Sequence, residues 1–271
     1  MPLSPFSSGE RFEAPVVAQD AAPTLSCRGS LHVSAFLPDD LLRVRRHPER
    51  GTTSREVVHS ILDAGLVCHL GYLHGDRPVV VPTLYGRDGD ELVVHGSAAS
   101  RAMRAGATGL PVCVTVMLLD ALVLARSAFH HSLNYRSVVV HGEAQAIEDP
   151  DDKTAALRTL TEHATPGRWA EVRWPTPQEL RATTVLRLSL DGAVAKVRAG
   201  GVGDDEADLD LPVWAGVVPV ATSWGEAVAT PGLADGLVPP ASVVAAASRP
   251  SLTATGVPAG LSASLTSGDR P

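Results

Sequence analysis

From Leu66 to Ile147 the chain repeats one pattern: a short apolar run, a turn, and another apolar run. The runs are LVCHLGYL (66–73), PVVVPTLY (78–85), ELVVHG (91–96), PVCVTVMLL (111–119), ALVLARSA (121–128) and SVVVHGEAQAI (137–147). Runs of this length read as β-strands, and His74-Gly75-Asp76 and Arg87-Asp88-Gly89-Asp90 between them read as tight hairpin turns. Asp120 is expected to part the fourth strand from the fifth. Stretches such as VVVHG and VCVTVML are apolar at consecutive positions, hence on both faces. Antiparallel strands of that kind need a barrel interior on one side and a helix or a second subunit on the other. The pattern therefore predicts a mainly β (α+β) chain built on a small antiparallel barrel with short helices at its ends.

The helices have their own signals. Thr53-Ser54-Arg55-Glu56 precedes apolar positions 57, 58, 61 and 62, which predicts an amphipathic helix ending at Gly65. SAASRAMRAG (97–106) reads as a short helix closed by glycine. Glu-Asp-Pro-Asp-Asp opens a third helix, Asp149 to His163, at the end where the helix dipole favours acids. TTVLRLSLD (183–191) and AVAKVRA (193–199) are expected to form a last strand pair or one kinked strand. Residues 1–35 are rich in Ser, Pro and Ala without periodicity and read as a flexible arm, 36–242 as the folded domain, and 243–271 as a disordered tail.

Composition excludes several classes. The net charge is −7 with no Lys/Arg block, which argues against nucleic acid or an anionic membrane as the main partner. Cys27, Cys68 and Cys113 are few, odd in number and far apart, which rules out a disulfide framework or a cysteine zinc knuckle and suits a reducing cytoplasm. MPLSPFSSGERFEAP is not a signal peptide, and no apolar run approaches the roughly 20 residues of a membrane span. Aromatic residues are 4%, so the core must be chiefly Val, Leu and Ala.

Two clusters of polar residues stand at strand ends. In HGSAASRAMR, Ser97 and Ser100 precede a helix, with Arg101 and Arg104 on it. Hydroxyls, unpaired amides and an arginine are what a phosphate binds, although an ordinary serine cap with a solvated arginine has the same letters. The motif is not a Walker A loop, because its Gly-Lys-Ser/Thr element is missing. In FHHSLNYRSVVVHG (129–142), Tyr135, Arg136 and Ser137 crowd the mouth of a strand. Arg136 there reads either as an anion ligand or as a surface residue on an edge strand. His130 and His131 are candidate general acids or haem ligands. Being adjacent, they point to opposite sides on extended backbone, so at most one is expected to face a cleft. His95 and His141, beside glycines, read as structural. DDEADLD (204–210) lacks the glycine and final acid of a calcium loop and reads as a solvated acidic loop. GGVG (200–203) precedes no helix and is no dinucleotide fingerprint. Trp214 is expected to plug the barrel or a subunit seam.

The order VPTLY, HGSAASR, VCVTV, NYRSVVVHG and PVWAGVVP resembles the pyridoxamine 5′-phosphate oxidase-like, FMN-binding split-barrel superfamily, closest to its Nim-type and actinobacterial flavin-binding branch, over about Asp39 to Pro240. The resemblance implies a six-stranded antiparallel split β-barrel with short capping helices, a homodimer, and FMN at the subunit interface. It would set the backbone of Val81, Pro82, Thr83 and Leu84 along the flavin ring edge and Ser97, Ser100 and Arg101 on the phosphate, with Tyr135, Arg136 and Ser137 completing the site. Members of the superfamily also use deazaflavin or bind haem. PVWAGVVPVATSWG lacks the paired Arg and His expected of a true vitamin B6 oxidase. What remains is an oxidoreductase acting on a small organic substrate, or a flavin- or haem-binding protein for storage, sensing or sequestration.

Overall fold

The computed structural model describes residues 42–252, apart from residues 108 and 110. The arm and the far tail lie outside the described residues. In chain order the elements are β1 (Gly51–Thr52), α1 (Arg55–Ala64), β2 (Val67–His74), β3 (Arg77–Asp88), β4 (Glu91–Ser97), α2 (Arg101–Ala107), β5 (Pro111–Leu124), β6 (Ser132–Glu143) and β7 (Gln145–Ala146). They continue with α3 (Pro150–Ala164), α4 (Pro177–Ala182), β8 (Thr183–Ser189), β9 (Ala193–Arg198), β10 (Gly216–Pro219) and α5 (Ala241–Ala247).

All pairings are antiparallel, in the order β1-β9-β6-β5-β2-β3-β4-β8-β7, with β10 added to the far half of β5. The hydrogen-bonded ladder does not close. Its two sides are joined by the chain itself at Leu190–Gly192, a single 3-10 turn between β8, which pairs with β4, and β9, which pairs with β6. This is the split barrel, and β8 with β9 is the kinked strand of the two expected alternatives. Gly75 and Gly89, at φ +59° and +55°, make the β2–β3 and β3–β4 turns that a side chain would strain.

The barrel interior is chiefly valine and leucine, as the low aromatic content requires, with Tyr72 and Tyr85 buried among them. Helix α1 lays Val57, Val58, Ile61 and Leu62 on strands β5, β6 and β9, and each is essentially buried. Full burial of such a side chain contributes about 1.5–3 kcal/mol, so this face is what anchors a ten-residue helix. Helix α3 is capped as expected: the Asp149 carboxylate accepts from the amides of Asp151 and Asp152 at 2.9 and 3.0 Å.

Three expectations are corrected. The strands on either side of Asp120 are one strand, β5, and Asp120 sits in a β-bulge between Leu119 and Ala121, where it is buried. A charged residue in an apolar run looks like a turn; here a partner within the barrel makes it affordable in the strand. β6 begins at Ser132, not Ser137, so the polar cluster lies inside the strand. The tail assigned from 243 onward begins as structure: α5 spans Ala241–Ala247, the Arg249 guanidinium lies 5.0 Å from the Trp224 ring centre and donates to the Ala164 carbonyl at 2.8 Å, and Leu252 bridges to Thr222. This contact is made by single residues without periodicity, which is why the pattern did not announce it.

Candidate functional site

A cavity of about 420 Å³ opens between β3, the end of β4 and the start of α2, within the size range of small-ligand sites. Strand β3 gives it Val81, Pro82 and Thr83, and the turn after β4 gives it Ser97, Ser100 and Arg101. These six are sequence-selected residues that the fold brings together. Tyr72, Val79 and Met103 supply apolar wall. Gly96 sets the depth of the site: a Cβ there would come within 2.9 Å of Met103 Cγ, so only glycine lets α2 pack so close to β4.

The chemistry of the lining is uneven. Arg101 is exposed and makes no ion pair with a described residue, which leaves a cation at the cavity mouth. Ser97 Oγ accepts from the Ala99 amide at 3.2 Å, and its carbonyl accepts from the Ser100 amide at 2.8 Å, which folds the polar turn inward on itself. His95 lines the same cavity, and its Nδ1 is buried with no hydrogen-bond partner among the described residues. Burial holds its pKa below the ordinary 6.5, so the neutral ring is favoured. An orphaned polar atom in a cavity wall is costly unless a ligand or water meets it. His95 was read as structural; the signal that could have found it is its place directly before Gly96-Ser97, where the strand delivers its last side chain to the polar turn.

The remaining selected residues are elsewhere in the chain. Along β6, Asn134, Arg136, Val138 and Val140 face inward while Tyr135, Ser137 and Val139 face outward. Arg136 is therefore turned away from its two neighbours. Its guanidinium is buried against Asp120, with N–O distances of 3.0 Å from Nε and 2.8 Å from Nη2. Within one chain Arg136 thus serves a buried ion pair and does not line the cavity. Ser137 Oγ donates to the Lys196 carbonyl at 3.2 Å. Leu84 pairs across from Val67, and Tyr135 across from Leu119, both on the outer face of the sheet.

Neither His130 nor His131 lines the cavity. His130 Nε2 lies 3.1 Å from Asp205, and His131 Nδ1 lies 2.9 Å from the Ser127 carbonyl. The acidic run is not simply solvated. The Asp204 carboxylate is 1% exposed, accepting from the Arg126 amide at 2.9 Å and its guanidinium at 2.6 Å. Burial alone would raise the Asp204 pKa, but the Arg126 bonds outweigh it and hold the carboxyl below its usual range. Trp214 is largely exposed, with its ring packed over Gly216. Cys68 is buried and its thiol pushed up to about 12, which makes it unreactive. Among the described residues no group of three or more His, Cys, Asp or Glu side chains is arranged to hold a metal ion, and no helix is long and apolar enough to cross a membrane.

Comparison with known proteins agrees with this architecture. The family model described as pyridoxamine 5′-phosphate oxidase matches residues 54–197. The chain belongs to that family, whose members share a flavin-binding split barrel. Among solved structures it is similar to the flavocytochrome Anf3 from Azotobacter vinelandii, at 36% identity and a TM-score of 0.72, over 76% of this chain and 95% of that one. It is also similar to the FAD and haem binding protein from Mycobacterium smegmatis, at 39% identity and a TM-score of 0.69, over 72% of this chain and 96% of that one. No curated protein matches the chain.

Proposed function

We propose that this protein is a flavin-dependent redox protein that holds a phosphorylated flavin in the cavity between β3, β4 and α2 and carries haem as a second cofactor. The observation that carries the flavin assignment is the meeting, in one cavity, of the β3 wall with Ser97, Ser100, Arg101 and the buried His95 Nδ1, the last two lacking an ion-pair or hydrogen-bond partner among the described residues. The residues fit the group. Arg101 and the two hydroxyls suit a phosphate, Val79, Val81 and Met103 suit a flat apolar ring, and a neutral His95 suits a polar ring edge or ribityl hydroxyl.

The flavin, when bound, supplies hydride or electron-pair transfer. The protein's share is to position it, to keep water from its ring with the apolar wall, and to leave His95 uncharged beside it. FMN is the assignment drawn from the motifs. FAD is the second reading, favoured by the 39% identical relative that is described as binding it. Haem is supported by that relative and by the flavocytochrome. A small organic substrate remains part of the reading, as does a cytoplasmic location, which the sparse cysteines suit.

The homodimer belongs to the same proposal. Val67, Val80, Met117 and Leu119 stand exposed on one outer face of β2, β3 and β5, beside the half-buried Leu84 and Tyr135. Contiguous exposed apolar surface of this kind marks an interface. A twofold partner would cover it and bring the outward-facing Leu84, Tyr135 and Ser137 to the cofactor from the second chain. The test is an absorption spectrum of the purified protein, followed by chromatography of the released cofactor and light scattering. Flavin bands with a Soret band, and a particle of about twice 28.3 kDa, support the reading. A protein that neither retains nor binds any flavin overturns it.

A further inference from the structure

The β3–β4 ladder stops at the pair Tyr85–Val94. Past that pair β3 stays with β2 as far as Arg77–His74, while β4 stays with β8 as far as Ser97–Thr183. The two strands part there, and the cavity is the gap between them. It therefore has two walls. One is β4 with α2, carrying His95, Ser97, Ser100 and Arg101. The other is β2 with β3, carrying Tyr72, Val79, Val81 and Thr83. A ligand that fills the gap meets both.

Polar groups on the β2–β3 wall are few. Thr83 Oγ1 is turned to the Leu84 carbonyl at 3.3 Å, and His74 stands exposed at the end of β2. Tyr72 is different. It is 9% exposed, lies between Val79 on β3 and Val112 on β5, and belongs to the main core. Its hydroxyl has no hydrogen-bond partner among the described residues, and they do not enclose it, so it opens on the cavity that the side chain lines. A buried tyrosine ordinarily bonds its hydroxyl. Tyr85 does so in this chain, donating to the Leu62 carbonyl at 2.5 Å. Phenylalanine would pack the place of Tyr72 as well as tyrosine does. What tyrosine adds is a donor facing whatever fills the gap.

We propose that Tyr72 binds the ring of the flavin, its hydroxyl donating a hydrogen bond to a carbonyl or ring-nitrogen acceptor from the wall across the gap from Arg101. This deepens the flavin reading and rests on it. Such a donor also selects, because a flat ligand without an acceptor at that edge leaves the hydroxyl unpaired. The experiment is titration of purified wild type, Tyr72→Phe and Tyr85→Phe with FMN and with riboflavin, followed by visible flavin absorption, together with urea unfolding of each apoprotein. Tyr72→Phe should weaken both ligands by the same factor, about two- to tenfold, the range of one neutral hydrogen bond. It should also shift the absorption maximum of bound FMN, since the lost bond is to the chromophore. Its apoprotein should be no less stable than wild type, because no bond within the protein is lost. Tyr85→Phe should do the reverse, keeping the flavin affinity and spectrum while unfolding at lower urea. If wild type binds neither flavin, the flavin reading fails and takes this proposal with it. Three results overturn the Tyr72 assignment alone, with flavin bound by wild type. They are a Tyr72→Phe protein unchanged in affinity and spectrum, one weakened for FMN but not for riboflavin, and one whose apoprotein is destabilised as Tyr85→Phe is.

Discussion

Arg136 and Asp120 are buried and joined as an ion pair, so removing Arg136 takes the guanidinium partner from the buried Asp120 carboxylate. Breaking a buried pair from one side typically costs about 3–5 kcal/mol. Arg136→Ala is therefore expected to lower unfolding stability by roughly that amount in urea, with the protein that remains folded binding flavin as before. A variant of wild-type stability would contradict the buried-pair assignment. Ser97, Ser100 and Arg101 were legible as one polar cluster because they sit together on a turn, and all three line the cavity. On strand β6 they were not. Tyr135, Arg136 and Ser137 look like one cluster when read in a line, but a two-residue period sends the middle one inward and its neighbours outward. His95 was passed over for the opposite reason, since nothing in its letters shows that its Nδ1 lacks a partner.

At the scale of elements, what sequence showed best was what periodicity carries. Helix α1 and the hairpins of β2, β3 and β4 fall within a few residues of the expected bounds. Continuity of β5 through Asp120 could not be read, because it depends on Arg136 from the next strand. The C-terminal segment was misjudged for lack of a repeating pattern. Ser242 bonds to Glu171, and Arg249 spans Trp224 and the Ala164 carbonyl, which ties α5 to the end of α3. Truncation after Pro240 is accordingly expected to lower the melting temperature by several degrees. An unchanged melting curve would show that these contacts contribute nothing.

For the whole molecule, three partly buried histidines contribute to the response to acid just below neutral pH. Burial holds His95, His141 and His163 below the ordinary 6.5, with the His163 bond to the Gly65 carbonyl only partly offsetting it. The unfolded chain therefore binds protons first as pH falls. Stability should be full above about pH 7 and decline as pH drops through 6.5, the unfolded value, and on toward the lower folded values. Urea midpoints that stay flat from neutral pH to pH 5 would contradict this. The proposed function turns on one claim, that the cavity holds the phosphate of a flavin at Arg101. Titration of the purified apoprotein with FMN and with riboflavin, for wild type and Arg101→Ala, tests it most directly. FMN binding should weaken by about 1.5–3 kcal/mol in the variant, the scale of a hydrogen bond to a charged group, while riboflavin should bind both proteins equally and poorly. FMN affinity that is the same in both proteins, or no better than that of riboflavin, would contradict it.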